Sequence, residues 1–461
     1  MKHSALARTL ILYVAVHVLT ALPAVGAVKP EEARDCLRKA GRYLCDISLN
    51  GGYPSSYSLD HAERRRKGKQ EKVTTNIRIH PPGTPSAGDA FLSAWRVTRD
   101  EMYLEGAVAA ARALVWGQRK SGGWAHHADV SGLNPGRVNK HRPDGQSVFD
   151  DDMTQGPLLF LMKLDQAVDK KWLTKAIDHG MSLMMDAQFD NGAWPQRYPL
   201  RGGYADYYTF NDAAINDCIE VLLQAHRQYG KQRYLHALRA AGDFLIESQG
   251  DPPQAGWAQQ YSHDMEPAWA RGFEPPGICS LVTANNIRTL VKLHLYTEDE
   301  RYLSPIPLAI KWLEYSKIDE NRWARLYEVG SNRPLYGDRK DPNKKHFDYQ
   351  KISKAERNSY AWRGSYGVPS VKEYYRKVKQ LGAPQYRKNN PGAPRVALVV
   401  SDVAMKMPQQ GSVGPEAVRE IIEAQDEQGR WITDGEIQIA TFVKNMNALC
   451  SYLQAAGERK P

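Results

Sequence analysis

Two groups of acids stand where helix-like stretches begin. Asp150-Asp151-Asp152 leads into the run Met153 to Leu164, and Asp212 ends the segment Tyr207-Tyr208-Thr209-Phe210-Asn211-Asp212 at the equivalent place one repeat later. Acids there cap a helix and complement its dipole. At corresponding hairpin mouths they also approach one another, and an all-oxygen set of Asp150, Asp151 and Asp212 favours a hard cation, Ca2+ first. His126-His127 and His263 lack zinc-site spacing and read as surface or hydrogen-bonding histidines.

Cations follow, beside aromatic and Gly-containing turns. They occur in and around Trp257-Ala258-Gln259-Gln260, Pro267-Ala268-Trp269-Ala270-Arg271, Asn332-Arg333-Pro334-Leu335-Tyr336-Gly337-Asp338-Arg339 and Glu356-Arg357-Asn358-Ser359-Tyr360. A guanidinium grips a carboxylate through two hydrogen bonds, which Lys does less well. Recurring Arg at loop ends points to a carboxylate-bearing partner.

The overall charge agrees, with 62 Lys+Arg against 52 Asp+Glu for a net +10. Lys2, His3 and Arg8 precede the apolar run Thr9 to Leu22, and Ala24-Val25-Gly26-Ala27 follows, which reads as a signal peptide cleaved near Ala27. The expectation is a secreted or periplasmic protein of residues 28–461, with no stable membrane association after cleavage. An exported basic protein meets acidic polysaccharide more often than nucleic acid. The run Arg64-Arg65-Arg66-Lys67-Gly68-Lys69 is accordingly read as a solvated loop. Cys36, Cys45, Cys218, Cys279 and Cys450 are too few and scattered for a disulfide scaffold; free thiols are preferred, with Cys36 to Cys45 the one conceivable bridge.

The elements that must position these residues form a repeat. Tyr103-Leu104, Trp172-Leu173, Tyr234-Leu235 and Tyr302-Leu303 each open a helix-like stretch, and each is followed by a turn bearing Trp124, Trp194, Trp257 or Trp323. Gly51-Gly52-Tyr53 and Gly429-Arg430-Trp431 extend the series to six turns. Between them apolar residues recur three and four apart, as in Cys218, Val221, Leu222 and Ala225. Two antiparallel helices per repeat, and few stretches of period two, predict an all-α fold: one α/α toroid of helical hairpins, with a cleft where the turns converge. Residues 331–400 read as the main irregular excursion. The turn aromatics either line a carbohydrate groove by ring stacking or plug their own hairpins.

Asp150-Asp151-Asp152-Met153-Thr154, Asn191-Gly192-Ala193-Trp194-Pro195-Gln196, Thr209-Phe210-Asn211-Asp212, Trp257 to Gln260, Ala270-Arg271-Gly272-Phe273-Glu274-Pro275-Pro276 and Asn332-Arg333-Pro334-Leu335-Tyr336 together resemble the family 10 polysaccharide lyases, the pectate or pectic acid lyases. The resemblance runs from about residue 50 to about 365. It implies an α/α toroid and Ca2+-dependent β-elimination of polygalacturonate. Residue by residue it implies Asp150 and Asp212 at the metal and substrate, Arg271 as the base, and Arg339 and Arg357 as substrate-binding arginines. Asn211, Trp194, Trp257, Gln260 and Tyr336, in the matched segments, are expected at the substrate, and the protein is expected to be a monomer. Crowding by Ca2+, Arg339 and Arg357 would lower the pKa of Arg271, so activity is expected to rise with pH.

The chain departs from the family pattern in three places. It has Asp150-Asp151 for the usual Asp-Asn, Leu281-Val282-Thr283 for a Gly-Glu-Ser that would supply a polar group, and Gly51-Gly52-Tyr53-Pro54 without the expected Trp and Lys. Two other readings stand beside the lyase. One is an α/α-toroid glycoside hydrolase using Asp150 or Asp151 with Asp212. The other is a non-catalytic binding module for acidic glycans.

Overall fold

The repeat unit of the computed structural model is a helix, a connection that opens on an aromatic turn and carries short strands, and a second helix. The structure describes residues 28–66, 69–134, 139, 142–394 and 413–457, so the signal-peptide reading lies outside the described residues. The helices are α1 (Pro30–Asp46), α2 (Thr84–Thr98), α3 (Glu101–Gly117), α4 (Gln155–Asp165), α5 (Lys171–Asp186), α6 (Ala214–Tyr229), α7 (Gln232–Glu247), α8 (Ser280–Thr297), α9 (Ile306–Tyr315), α10 (Lys354–Ser359), α11 (Val368–Asn389), α12 (Pro415–Glu423) and α13 (Ile439–Gly457). Local chemistry sets their ends. Pro lies in the first turn of α1, α2, α9, α11 and α12, where its missing N–H costs nothing. Asp100 caps α3 by accepting from the Met102 N–H at 3.2 Å, and left-handed Gly230 ends α6.

The second helices of successive units pack on one another, α2 on α4, α4 on α6, α6 on α8 and α8 on α11, while α13 packs on both α1 and α2. The first and last described helices thus meet, as the toroid of hairpins requires. Sheets among the described residues are small, the widest having four strands. No described helix is long and apolar enough to cross a membrane.

Each turn is built the same way. Its aromatic ring is buried, and the ring's polar atom donates to a carbonyl of the helix just ended: Trp124 Nε1 to Leu114 at 2.8 Å, Trp194 to Met184 at 2.9 Å, Trp257 to Leu245 at 2.7 Å, Trp323 to Leu313 at 2.6 Å and Trp431 to Ile421 at 2.8 Å. Tyr53 does the same through its hydroxyl, to Leu44 at 3.1 Å. These aromatics are the plugs of their hairpins.

A glutamine at the end of the first helix then ties neighbouring units together. Gln118 Nε2 donates to Gly122 O in its own turn and to Ala176 O on α5, and Gln188 to Gly192 O and Ala237 O on α7. Gln249 donates to Ala255 O and to Pro305 O at the start of α9. Gln425 donates to Gly429 O and Cys36 O, which stitches the last unit to α1. The turn glycine makes this approach possible: Gly192 has φ +91° and a Cβ there would meet Ala240 O at 2.1 Å.

Two expectations change. The excursion at 331–400 contains α11, the second helix of its unit, packed on α8. The basic run is not a loop: Glu63–Arg66 pairs antiparallel with Lys69–Lys72, and Arg64 is buried, donating to Asn76 O at 3.0 Å. Within Leu281-Val282-Thr283 the hydroxyl of Thr283 is a brace, accepting from the Trp257 N–H at 3.1 Å as Thr154 does from Trp124 and Thr84 from Tyr53. All five cysteines are free.

Candidate carboxylate and arginine site

The mouths of α4 and α6 share one backbone device. In Phe149-Asp150-Asp151-Asp152 and Phe210-Asn211-Asp212-Ala213 the last two residues are left-handed, at φ 53° and 59° in one and 46° and 63° in the other. Such conformations cost non-glycine residues about 1–3 kcal/mol each and persist where the surroundings impose them. The true repeat equivalents are therefore Asp151 and Asp212, while Asp150 corresponds to Asn211.

This device brings Asp150, Asp151 and Asp212 together, with ligand atoms within 4.8 Å of one another. Each carboxylate is oriented by one neighbour. Gln196 Nε2 donates to Asp150 Oδ2 at 2.9 Å, Asn211 Nδ2 to Asp212 Oδ2 at 3.0 Å, and His80 Nε2 lies 3.5 Å from Asp151 Oδ2. The other Asp150 oxygen, Oδ1, is buried without a hydrogen-bond partner, as are Gln196 Oε1 and Asn211 Oδ1. Burial and the carboxylate of Asp212 raise the Asp150 pKa, loss of hydration within the cluster and the charge of Asp151 raise that of solvent-reaching Asp212, and His80 holds Asp151 low. Three convergent carboxylates with unpaired buried oxygens around them fit a hard, oxygen-seeking cation.

Arg271 stands beside this cluster, fixed by Glu274. Its Nε donates to Oε2 at 2.7 Å and its Nη2 to Oε1 at 2.6 Å. The glutamate side chain is 1% exposed and the arginine side chain 45%. The expected depression of the Arg271 pKa is corrected: hydrogen bonding to Glu274 raises it above the ordinary arginine value. Arg339 repeats the plan, with Nη1 2.7 Å from both oxygens of buried Glu356. The two guanidinium groups lie over one ring, Phe273, at 4.8 and 3.7 Å from its centroid.

Other expected substrate contacts lie elsewhere. Trp194 and Trp257 are fully buried hairpin plugs with no face open to a sugar. Gln260 is buried and donates to Tyr204 O at 2.6 Å; Tyr336 is buried and accepts from Arg363 Nε at 3.0 Å. Asn211 is buried and serves Asp212. Arg357 donates to the carbonyls of Gln350 at 2.9 Å and Ile352 at 2.5 Å, so it secures a backbone turn instead of reaching the acids.

Arg325 escaped the sequence reading. It is buried, its Nε donates to Gln259 Oε1 at 3.2 Å, its guanidinium lies 4.5 Å from the Tyr360 ring centroid, and its charge stabilises ionised Asp212. Its signal was in the repeat: Arg325 is two residues after Trp323, as His126, Gln196 and Gln259 are after Trp124, Trp194 and Trp257. His126 feels the charge of Asp151, and Gln259 reaches Glu274 at 3.4 Å. Cavities of about 790 and 520 Å³ lie along α11 instead, with Tyr375 and Lys379 in both linings, and contain none of these acids or arginines.

A family model described as pectic acid lyase matches residues 118–322 and 316–369 of the chain. A mutant of the family 10 polysaccharide lyase from Cellvibrio cellulosa, in complex with trigalacturonic acid, aligns with a TM-score of 0.52 at 20% identity, over 63% of this chain and 98% of that one. The family 10 polysaccharide lyase from the same organism gives 0.51 at 19%, over 63% and 97%. These likenesses show a shared fold. No curated protein matches.

Proposed function

Since the chain belongs to the pectic acid lyase family, we propose that it is a carbohydrate-active enzyme that cleaves a uronate polymer, polygalacturonate first, by Ca2+-dependent β-elimination. The observation that carries the reading is the convergence of Asp150, Asp151 and Asp212 beside the fixed cations Arg271 and Arg325.

Asp150, Asp151 and Asp212 would hold the metal. Bound there, Ca2+ supplies positive charge to a uronate carboxylate and so lowers the cost of negative charge developing at C5. Arg271 keeps one edge on Glu274, which leaves its Nη1 without a partner among the described residues and directed to the reacting sugar, while Arg339, whose Nε and Nη2 have none either, would hold the uronate carboxylate. Buried Arg325 adds a permanent charge beside Asp212. In the elimination the C5–H bond breaks, the C4–C5 double bond forms and the C4 oxygen leaves with the glycosidic electron pair; neither water nor a nucleophile is consumed. Arg271 is the proposed acceptor of the C5 proton. Glu274 opposes loss of the proton it already carries, so the base form is scarce at neutral pH and activity rises into the alkaline range.

One observation favours a second reading. The pKa of Asp150 is raised while that of Asp151 is held low, the division of labour of an acid and a base in a glycoside hydrolase. Incubation with polygalacturonate, with Ca2+ and with chelator, separates the readings. A lyase makes an ultraviolet-absorbing unsaturated end and stops in chelator. A hydrolase makes reducing ends without that absorbance, and a glycan-binding relative holds the polymer without cutting it. Export is part of the proposal, and a mature N-terminus near Val28 on protein recovered outside the cytosol checks it.

A further inference from the structure

The chain has eleven tryptophans, and ten of them belong to its core. Trp124, Trp194, Trp257, Trp312, Trp323, Trp362 and Trp431 are buried in it, and Trp95, Trp116 and Trp172 pack against it. Trp269 does neither. It is part-exposed, and among the described residues no ring or cation is paired with its indole and its Nε1 has no hydrogen-bond partner. Leaving so large an apolar ring outside the core forgoes part of its burial, which makes its position informative.

That position is held rigidly. On one side the Ala268 N–H donates to Gln260 O at 3.0 Å, and on the other the Ala270 N–H donates to Glu274 O at 3.3 Å. Gln260 pairs in turn with Thr209, which leads directly into Asn211-Asp212. Trp269 therefore sits two residues before Arg271 and one strand away from the segment that delivers the acids. The backbone bonds on both sides order the ring's base in advance, so little entropy is lost when a ligand covers it.

We propose that Trp269 is a sugar platform of the site: its indole stacks on the C–H face of a pyranose next to the sugar that meets Arg271. The proposal rests on the uronate-polymer reading above and locates the stacking surface that the buried turn tryptophans do not supply. Trp269 takes no part in bond breaking. It grips the polymer beside the reacting sugar and sets affinity.

The test is steady-state kinetics on polygalacturonate with Ca2+, beside a fluorescence titration with trigalacturonic acid. Trp269→Ala should raise KM about tenfold while kcat changes far less, and Trp269→Phe should recover most of the loss. The titration should change indole emission in the wild type and not in Trp269→Phe. An active wild type with unchanged KM in Trp269→Ala overturns the platform and leaves the lyase standing. Where the wild type cleaves no uronan the lyase reading fails instead, and the titration alone then judges Trp269: the same emission change in wild type and Trp269→Phe, or none in either with trigalacturonic acid and a neutral hexose trimer, overturns it.

Discussion

Arg271 and Glu274 form a two-point ion pair in which the acid is buried and the base reaches solvent, with contacts of 2.7 and 2.6 Å. The pair holds the guanidinium still and raises its pKa at the same time. Those effects act oppositely on a catalytic base, because position improves while the reactive form becomes rarer. Glu274→Gln keeps a neutral acceptor and removes the opposing charge. The alkaline rise in kcat/KM should then move to lower pH by about one unit, while Arg271→Ala should lose at least about a hundredfold at every pH. A pH profile that does not move in Glu274→Gln would mean that Arg271 is not the group losing a proton.

Metal binding should be visible without turnover. The raised pKa values of Asp150 and Asp212 mean that the folded apo protein holds protons which the unfolded chain has released. Their stabilising contribution is complete below the ordinary aspartate pKa and is lost as pH rises through the folded values. Chelated protein should therefore lose thermal stability between about pH 4 and pH 8, and Ca2+ should restore several degrees at the upper end. Asp150→Asn or Asp212→Asn should weaken that response roughly ten- to a hundredfold in Ca2+ concentration. Thermal melts across a Ca2+ series read both effects.

The turn tryptophans should behave as structure. Trp257→Phe leaves the Leu245 carbonyl without its donor and should destabilise the fold by about 1–3 kcal/mol, with KM unchanged. Denaturant unfolding beside kinetics separates this from the binding phenotype expected at Trp269.

Much of this was legible because repetition makes position readable. The recurring aromatic turns mark the hairpins, and the repeat alone puts the acids ahead of α4 and α6 at one structural place. What stayed hidden was the direction of side chains. A Trp in a Gly turn serves equally to plug a hairpin or stack on a sugar, and only burial decides that Trp257 plugs, while Trp269, outside the repeat, stays part-exposed. Arg339 and Arg357 looked alike, yet one is gripped by Glu356, 17 positions away, and the other by three nearby carbonyls. Arg325 could have been found by carrying the repeat two residues past each Trp.

Asp217, on the first turn of α6, gives a final prediction that does not depend on metal or substrate. Burial, with Asp152 and Glu220 nearby, pushes its carboxyl up to about 8 against the countering charge of Lys292. The folded state keeps this proton where the unfolded chain gives it up, so the contribution of Asp217 is fully present below about pH 4 and lost as pH rises through about 8. Asp217→Asn fixes the neutral form. It should stabilise the chelated protein by about 1–3 kcal/mol at pH 9 and leave it almost unchanged at pH 4. Urea unfolding at the two pH values measures the difference, and an equal effect at both would show that the change acts through packing and not through the charge.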